Sequence, residues 1–250
     1  MQNGVFLWNL KKDLRKRLVR LSNRLFGAEL THRSRLAGFL KKTQVRLAET
    51  LSPARRRQAA FERLHPEAPW FVPDSIAFIE GVLSPSFTAF EWGAGRSTLW
   101  FARRIRRVIS VEGRREWHDE VQQQIRKEEL TDKVDLRLAE VTTEFAFKPE
   151  EVERYAGAID PVPDHSLDLV VVDGHFRAAC LERCLGKIRE GGFLVIDNAD
   201  VPDLEPYRRF LERMEFRLFT NGIWETVIIR APRSMDLSRG AAERRLNAKG

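Results

Sequence analysis

Residues 87–112, FTAFEWGAGRSTLWFARRIRRVISVE, constrain the fold more than any other part of the chain. Phe87–Trp92 is short and aromatic, as a strand entering a core must be, and it breaks at Gly93-Ala94-Gly95 before a helical pattern opens near Ser97. Two glycines permit a sharp turn and a close approach of backbone to a ligand, and the first amides of the following helix have no intrahelical partner. A second apolar run, Arg107–Val111, ends in Glu112, 21 residues after Glu91. A carboxylate at the tip of a second strand can accept both hydroxyl hydrogens of a ribose. The stretch therefore predicts strand, glycine turn, helix and strand, with a nucleoside at the strand ends.

The alternation continues downstream. Arg114–Leu130 has a polar helical pattern, Val134–Ala139 reads as a third strand leading to Glu140, and Leu167–Val172 is an apolar run of the kind buried on both faces of a parallel sheet. That run ends in Asp173-Gly174-His175. A helix carrying Cys180 and Cys184 follows, and Gly191-Gly192 turns the chain into a fifth strand, Phe193–Ile196, ending in Asp197-Asn198. A helix over 204–215 then leads to Phe216–Phe219, the turn Thr220-Asn221-Gly222 and Trp224–Arg230; Asn-Gly between two β-rich runs predicts a hairpin. Residues 141–166 are too many for a plain connection, and contain a helical stretch near Pro149–Ala158 with Tyr155 and His165 as candidate site residues. Upstream of the first strand, Asp74 is expected to cap a helix running to Leu83.

Charge divides the chain. Residues 1–65 carry 16 Lys and Arg against 4 Asp and Glu, a balance of +12, so with a net charge of +7 the remainder sums to −5. An acidic body argues against nucleic acid lying across the strand ends. Within the basic segment Leu7, Leu10, Leu14, Leu18, Leu21 and Leu25 recur at helical spacing among lysines and arginines. Such a basic amphipathic helix over 5–26 leaves three uses open: packing or homodimerisation, contact with an anionic membrane surface, and nucleic-acid binding. A second helical stretch, Ser34–Leu51, precedes Pro53, and His65-Pro66-Glu67-Ala68-Pro69 reads as a linker. The expected organisation is a helical extension 1–65, a folded domain 66–230 and a polar tail 231–250. No run approaches 18 apolar residues, and Val5–Trp8 is too short for a signal-peptide core. The expected setting is cytoplasmic, with 5–26 as a candidate contact with the inner membrane surface. Cys180 and Cys184, one helical turn apart, suit packing on one helix face as reduced thiols.

The glycine loop selects among nucleosides. A dinucleotide fingerprint, G-x-G-x-x-G, needs a third glycine where Thr98 stands. Glu91-x-Gly93-x-Gly95 instead resembles motif I of the class I S-adenosylmethionine-dependent methyltransferases. With VISVE, LDLVVVDG, the double glycine before IDN and the closing hairpin, the resemblance covers most of 69–230 and extends to a group of bacterial enzymes linked to small-molecule or glycan modification. It implies an α/β, Rossmann-like seven-stranded sheet with an antiparallel last strand. It also implies a helix before the sheet that partly covers the cofactor, which makes Trp70 and Phe71 lid candidates beside their reading as core aromatics.

On this resemblance the cofactor contacts are Glu91, Gly93, Gly95, Ser97, Glu112, Glu140 and Asp173. Glu91 would order the loop near the methionine amino group, Glu112 would bind the ribose, and Glu140 would reach the adenine amino group. Asp173 with Asp197-Asn198 is similar to the catechol and caffeoyl-coenzyme A O-methyltransferases, where such residues hold a divalent metal. That implies Mg²⁺ or another hard cation on Asp173, Asp197 and Asn198. The alternative has Asp197 capping a loop while Asn198 merely hydrogen-bonds. Those enzymes place a lysine base shortly after the first Asp, whereas here Gly174, His175, Phe176 and Arg177 follow. His175 is then the candidate base, acting with Asp173, and Arg177 the candidate anchor for an acceptor carboxylate or phosphate. The implied activity is methyl transfer to oxygen on a small molecule or sugar. Methylation of nucleic acid or protein through the basic arm competes with it, weakened by the lack of an Asn/Asp-Pro-Pro-aromatic signature after the fourth strand. So does a catalytically inactive scaffold.

Overall fold

The computed structural model describes residues 52–142, 148–201, 204 and 214–232. The helices expected at 5–26 and 34–51, most of that expected at 204–215, and the tail from 233 onward lie outside the described residues. The chain divides into two units, residues 1–59 and 60–250. A helix α1 (Pro53–Leu64) includes the division.

The second unit is built on one sheet. Its strands are β1 (Thr88–Trp92), β2 (Arg107–Glu112), β3 (Val134–Leu138), β4 (Leu167–Val172), β5 (Ile188–Asp197), β6 (Phe216–Thr220) and β7 (Glu225–Arg230), in the order β3-β2-β1-β4-β5-β7-β6. Strands β1 to β5 pair in parallel, while β7 pairs antiparallel with both β5 and β6. The hairpin at Asn221-Gly222 forms as expected, with Asn221 Oδ1 accepting from the amides of Ile223 and Trp224 at 2.9 and 3.1 Å. Its second strand slots between β5 and β6, so β6 becomes the edge and β7 alone runs against the sheet.

Helices α2 (Pro73–Val82), α3 (Arg96–Ala102), α4 (Arg115–Lys127), α5 (Pro149–Ala156) and α6 (Arg177–Cys184) cover the sheet. Side chains alternate between its faces. Phe90, Trp92, Val170, Val172, Leu194 and Ile196 pack with Tyr155 and Ala156 of α5 and with Cys180, Leu181 and Cys184 of α6. Ala89, Val108, Leu169, Val171 and Val195 pack instead with Ile76 and Ile79 of α2 and with Trp100 and Phe101 of α3. Cover on both sides explains why β4 is apolar throughout. Each large side chain so buried contributes about 1.5–3 kcal/mol. Trp92 adds a directional tie, its indole N–H donating to the Tyr155 carbonyl at 2.9 Å and fixing α5 beside the end of β1.

Two local expectations are corrected. Helix α2 starts at Pro73 with Val72 at its N-cap position, so Asp74 lies in the first turn and caps nothing; the fixed φ of proline suits the first helical position. Gly191 and Gly192 lie inside β5, not before it, where the register against β4 shifts between Leu167 and Leu169. Cys180 and Cys184 are buried free thiols, as expected. Among the described residues no helix is long and apolar enough to cross a membrane.

Candidate functional site

The carboxyl ends of β1, β2 and β4 meet at the glycine loop. Gly93 has φ 95°, and a Cβ on it would stand 2.8 Å from the Asp173 carbonyl oxygen, so only glycine lets the ends of β1 and β4 approach this closely. The amide of Gly93 donates to the Val111 carbonyl at 2.9 Å, and that of Asp173 to the Trp92 carbonyl at 3.1 Å. Around Gly95 the protein is less crowded: a Cβ there would meet only the Trp117 ring, at 3.6 Å. Trp117, on α4, donates its indole N–H to the Ala94 carbonyl at 2.6 Å and so pins the loop from one side.

Glu91 pins it from below. This buried carboxylate accepts from the hydroxyls of Thr98 and, at 2.6 Å, Ser110, while Thr98 in turn accepts from the Gly95 amide at 2.9 Å. Burial pushes its pKa up to about 7 against the opposing bonds from Ser110, Thr98 and Ser97. Among the described residues its Oε2 is buried with no hydrogen-bond partner. Ser97, in the first turn of α3, is buried beside it. Glu112 closes β2 and receives the amides of Gly113 and Arg114 on Oε1 at 2.9 and 2.8 Å, leaving Oε2 unengaged by either. Burial raises its pKa, opposed by those two amides, the Arg114 charge and the Ala94 amide.

Near the loop, Trp70 is 49% exposed and lies nearly parallel to Trp117 at 6.4 Å, with the Arg96 guanidinium 4.9 Å over its ring. Arg96 Nη1 is buried without a hydrogen-bond partner among the described residues. Phe71, the other lid candidate, is fully buried core.

At the ends of β4 and β5 the residues named for a metal converge on a side chain instead. Arg177 Nη2 donates to Asp173 Oδ1 at 3.2 Å and to Asn198 Oδ1 at 2.9 Å, and its Nε donates to the Asp197 carbonyl at 3.1 Å. The Asp197 carboxylate turns away and accepts from the Thr226 hydroxyl at 2.5 Å. Among the described residues no cluster of three His, Cys, Asp or Glu side chains is placed to hold a metal ion. The residues present do not fit a metal at this point, because a guanidinium nitrogen fills it. Burial pushes Asp173 up to about 6, against the Arg177 charge, and Asp197 up to about 8, where repulsion from Asp173 adds to burial.

The other candidates separate. The His175 ring packs on Gly113, where a Cβ would meet its Cδ2 at 2.8 Å, and against Tyr155 and Phe176, so it lies beside the tip of β2. Tyr155 is fully buried, and its hydroxyl oxygen accepts from the His175 amide at 3.4 Å. Glu140 is half-buried and ion-paired with Arg115 at 3.0 Å, which lowers its pKa and occupies the carboxylate. His165 precedes β4, at the end of the strand away from the loop, with Nδ1 3.3 Å from the Ile188 carbonyl oxygen; it is no part of this site. Thr98, Ser110, Thr226, Arg96 and Trp117 were not singled out for roles here. Thr98 alone had a sequence signal, at the position of the missing third glycine.

Residues 90–199 match the model of a family described as a methyltransferase domain. The chain carries a methyltransferase domain over those residues. Among curated protein sequences none matches it. The methyltransferase is similar to an S-adenosylmethionine-dependent O-methyltransferase of Thermotoga maritima, at 14% identity and TM-score 0.49 over 70% of this chain and 71% of that one. It is similar to an O-methyltransferase of Bacillus cereus in complex with SAH, at 16% and 0.47 over 72% and 91%. It is also similar to an rRNA methylase of Streptococcus thermophilus, at 12% and 0.48 over 64% and 95%. None of these likenesses bears on the acceptor. The loop fits the cofactor on its own chemistry: Glu91 Oε2 is a buried orphan among the described residues, Glu112 stands at the tip of β2 beside the Ala94 amide, and a Cβ on Gly95 would meet no backbone within 3.6 Å.

Proposed function

We propose that the methyltransferase transfers its methyl group to a hydroxyl oxygen of a small molecule or sugar. The observation that carries this reading is Asp173, a carboxylate just past the end of β4, held against the Arg177 guanidinium and with its proton affinity raised by burial to about 6. Attack by a hydroxyl requires a group that takes up its proton near neutral pH, and a buried carboxylate with a raised pKa meets that need. S-adenosylmethionine supplies the methyl group on a positive sulfur that is already a good leaving group. The chain's own task is therefore alignment and proton removal.

In this reading Glu112 holds the ribose, Glu91 and the loop Gly93–Ser97 hold the methionine end, and Asp173 receives the acceptor proton. Asp173 is favoured over His175 as base because the His175 ring is packed against Gly113 beside Glu112, on the nucleoside side. The +12 balance of residues 1–65 favours a second reading, in which a nucleic acid docks on that segment and presents the acceptor. Isotopically labelled S-adenosylmethionine offered with pooled phenols and sugars, and separately with total RNA, tests the choice. Label in the small-molecule fraction is expected; label confined to RNA would replace the first reading by the second.

A further inference from the structure

We propose that the Arg177 guanidinium is the resident cation of this site, standing where Asp173, Asn198 and the Asp197 backbone would otherwise offer oxygens to a divalent metal. The inference rests on the methyltransferase reading of the site and not on the choice of acceptor.

Four hydrogen bonds define the arrangement. Nη2 donates to Asp173 Oδ1 at 3.2 Å, to the Asp173 carbonyl at 3.4 Å and to Asn198 Oδ1 at 2.9 Å, and Nε donates to the Asp197 carbonyl at 3.1 Å. A hard cation such as Mg²⁺ needs its oxygens at about 2.0–2.1 Å in near-octahedral array. Here the point on which the oxygens converge is taken by nitrogen.

The backbone is shaped to put it there. Phe176, immediately before Arg177, has φ 51°, and Asn198 has φ 48°; both lie in the left-handed region that non-glycine residues adopt at a cost. The first turns α6 so that its opening side chain reaches across to β5, and the second aims the Asn198 amide oxygen at the guanidinium. Arginine keeps its proton at any working pH, so the charge is permanent where a metal would exchange with solvent. Among the described residues no hydrogen bond from Nη1 accompanies those of Nε and Nη2, which leaves it as the donor for an oxygen that is losing its proton.

The test is thermal unfolding of the full chain with S-adenosylhomocysteine, after chelator treatment, with and without added Mn²⁺. It compares the wild type with Arg177→Met, which keeps the apolar stem and removes the charge. The wild-type Tm is expected to stay unmoved by Mn²⁺, and that of Arg177→Met to rise by a few degrees as the freed oxygens take the ion. Adding Asn198→Ala to Arg177→Met should abolish the rise. A wild-type Tm that climbs with Mn²⁺ overturns the proposal. So does an Arg177→Met protein that binds S-adenosylhomocysteine like the wild type but ignores the metal. If Arg177→Met fails to fold, Arg177→Gln takes its place, and paramagnetic titration of the wild type decides independently: micromolar, stoichiometric Mn²⁺ binding overturns the proposal, and no binding supports it. Neither readout uses a methyl acceptor, so failure here is distinct from failure of the O-methylation reading.

Discussion

Gly174 and the Tyr155 hydroxyl occupy nearly the same space: a Cβ on Gly174 would stand 1.9 Å from that oxygen. The segment after β4 can cross above buried Tyr155 only because residue 174 has no side chain. Gly174→Ala is therefore expected to destabilise the enzyme by about 1–3 kcal/mol, the usual range for overpacking, and to lower activity by displacing Asp173 and His175. Tyr155→Phe alone removes one long hydrogen bond and should change little. Combined with Gly174→Ala it should recover part of the loss, since the next contacts stand at 2.9 and 3.0 Å. Thermal melts of the two single variants and the double variant check this; strict additivity would show that the two residues do not clash.

Glu112→Gln keeps an acceptor for the Gly113 and Arg114 amides but removes the charge proposed to hold the ribose. Hydrogen bonds to a charged group are worth about 1.5–3 kcal/mol. S-adenosylhomocysteine should bind about 10- to 100-fold more weakly by calorimetry, with Tm nearly unchanged. Equal affinity would remove Glu112 from the ribose site.

Burial of Glu91 makes stability depend on pH. Its carboxyl titrates near 4.5 when unfolded and at about 7 when folded, so between these values the folded chain holds a proton that the unfolded chain has released. The contribution is fully present below pH 4.5 and is lost as pH rises through about 7, with a slope of up to about 1.4 kcal/mol per pH unit. Glu91→Gln keeps the acceptor for Thr98 and Ser110 and abolishes the titration. The difference in stability between wild type and Glu91→Gln, from denaturant melts at pH 5 and pH 7, should shift against the wild type at the higher pH. A constant difference would mean that Glu91 stays ionised in the folded state.

Asp173→Asn removes the proposed proton acceptor while its Oδ1 still accepts from Arg177. Loss of general-base assistance is expected to lower kcat by about 10²–10⁴ with S-adenosylhomocysteine affinity within a few-fold of wild type. In the wild type, kcat/KM should rise with pH through about 6, where Asp173 loses its proton. Full activity of Asp173→Asn would move the base elsewhere.

Much of the fold was legible because its signals are local. The break at Gly93-Ala94-Gly95, the apolar run 167–172 and the Asn221-Gly222 turn each fix an element through neighbours in sequence, and the strands formed where those signals placed them. The start of α2 and the position of Gly191-Gly192 are not legible locally, since one depends on whether Pro73 or Asp74 takes the first turn and the other on pairing with a distant strand. Spacing likewise placed Glu91, Gly93, Glu112 and Asp173 at strand ends without showing which oxygen of each remains unoccupied.

The strand, glycine turn, helix and strand unit and the line of carboxylates are legible in the sequence alone, because a glycine turn after a buried strand and an acid at the next strand's tip are set by backbone chemistry within 26 residues. Only the tertiary structure decided what those carboxylates face. Whether Asp173 and Asn198 meet a metal or a guanidinium depends on the path of a chain that leaves β4 at 172, turns at Phe176 and brings Arg177 against a strand ending at 197. Which group meets Asn198 and the Asp197 carbonyl is a property of three-dimensional approach between distant segments, and the spacing of Asp173 and Arg177 alone does not encode it.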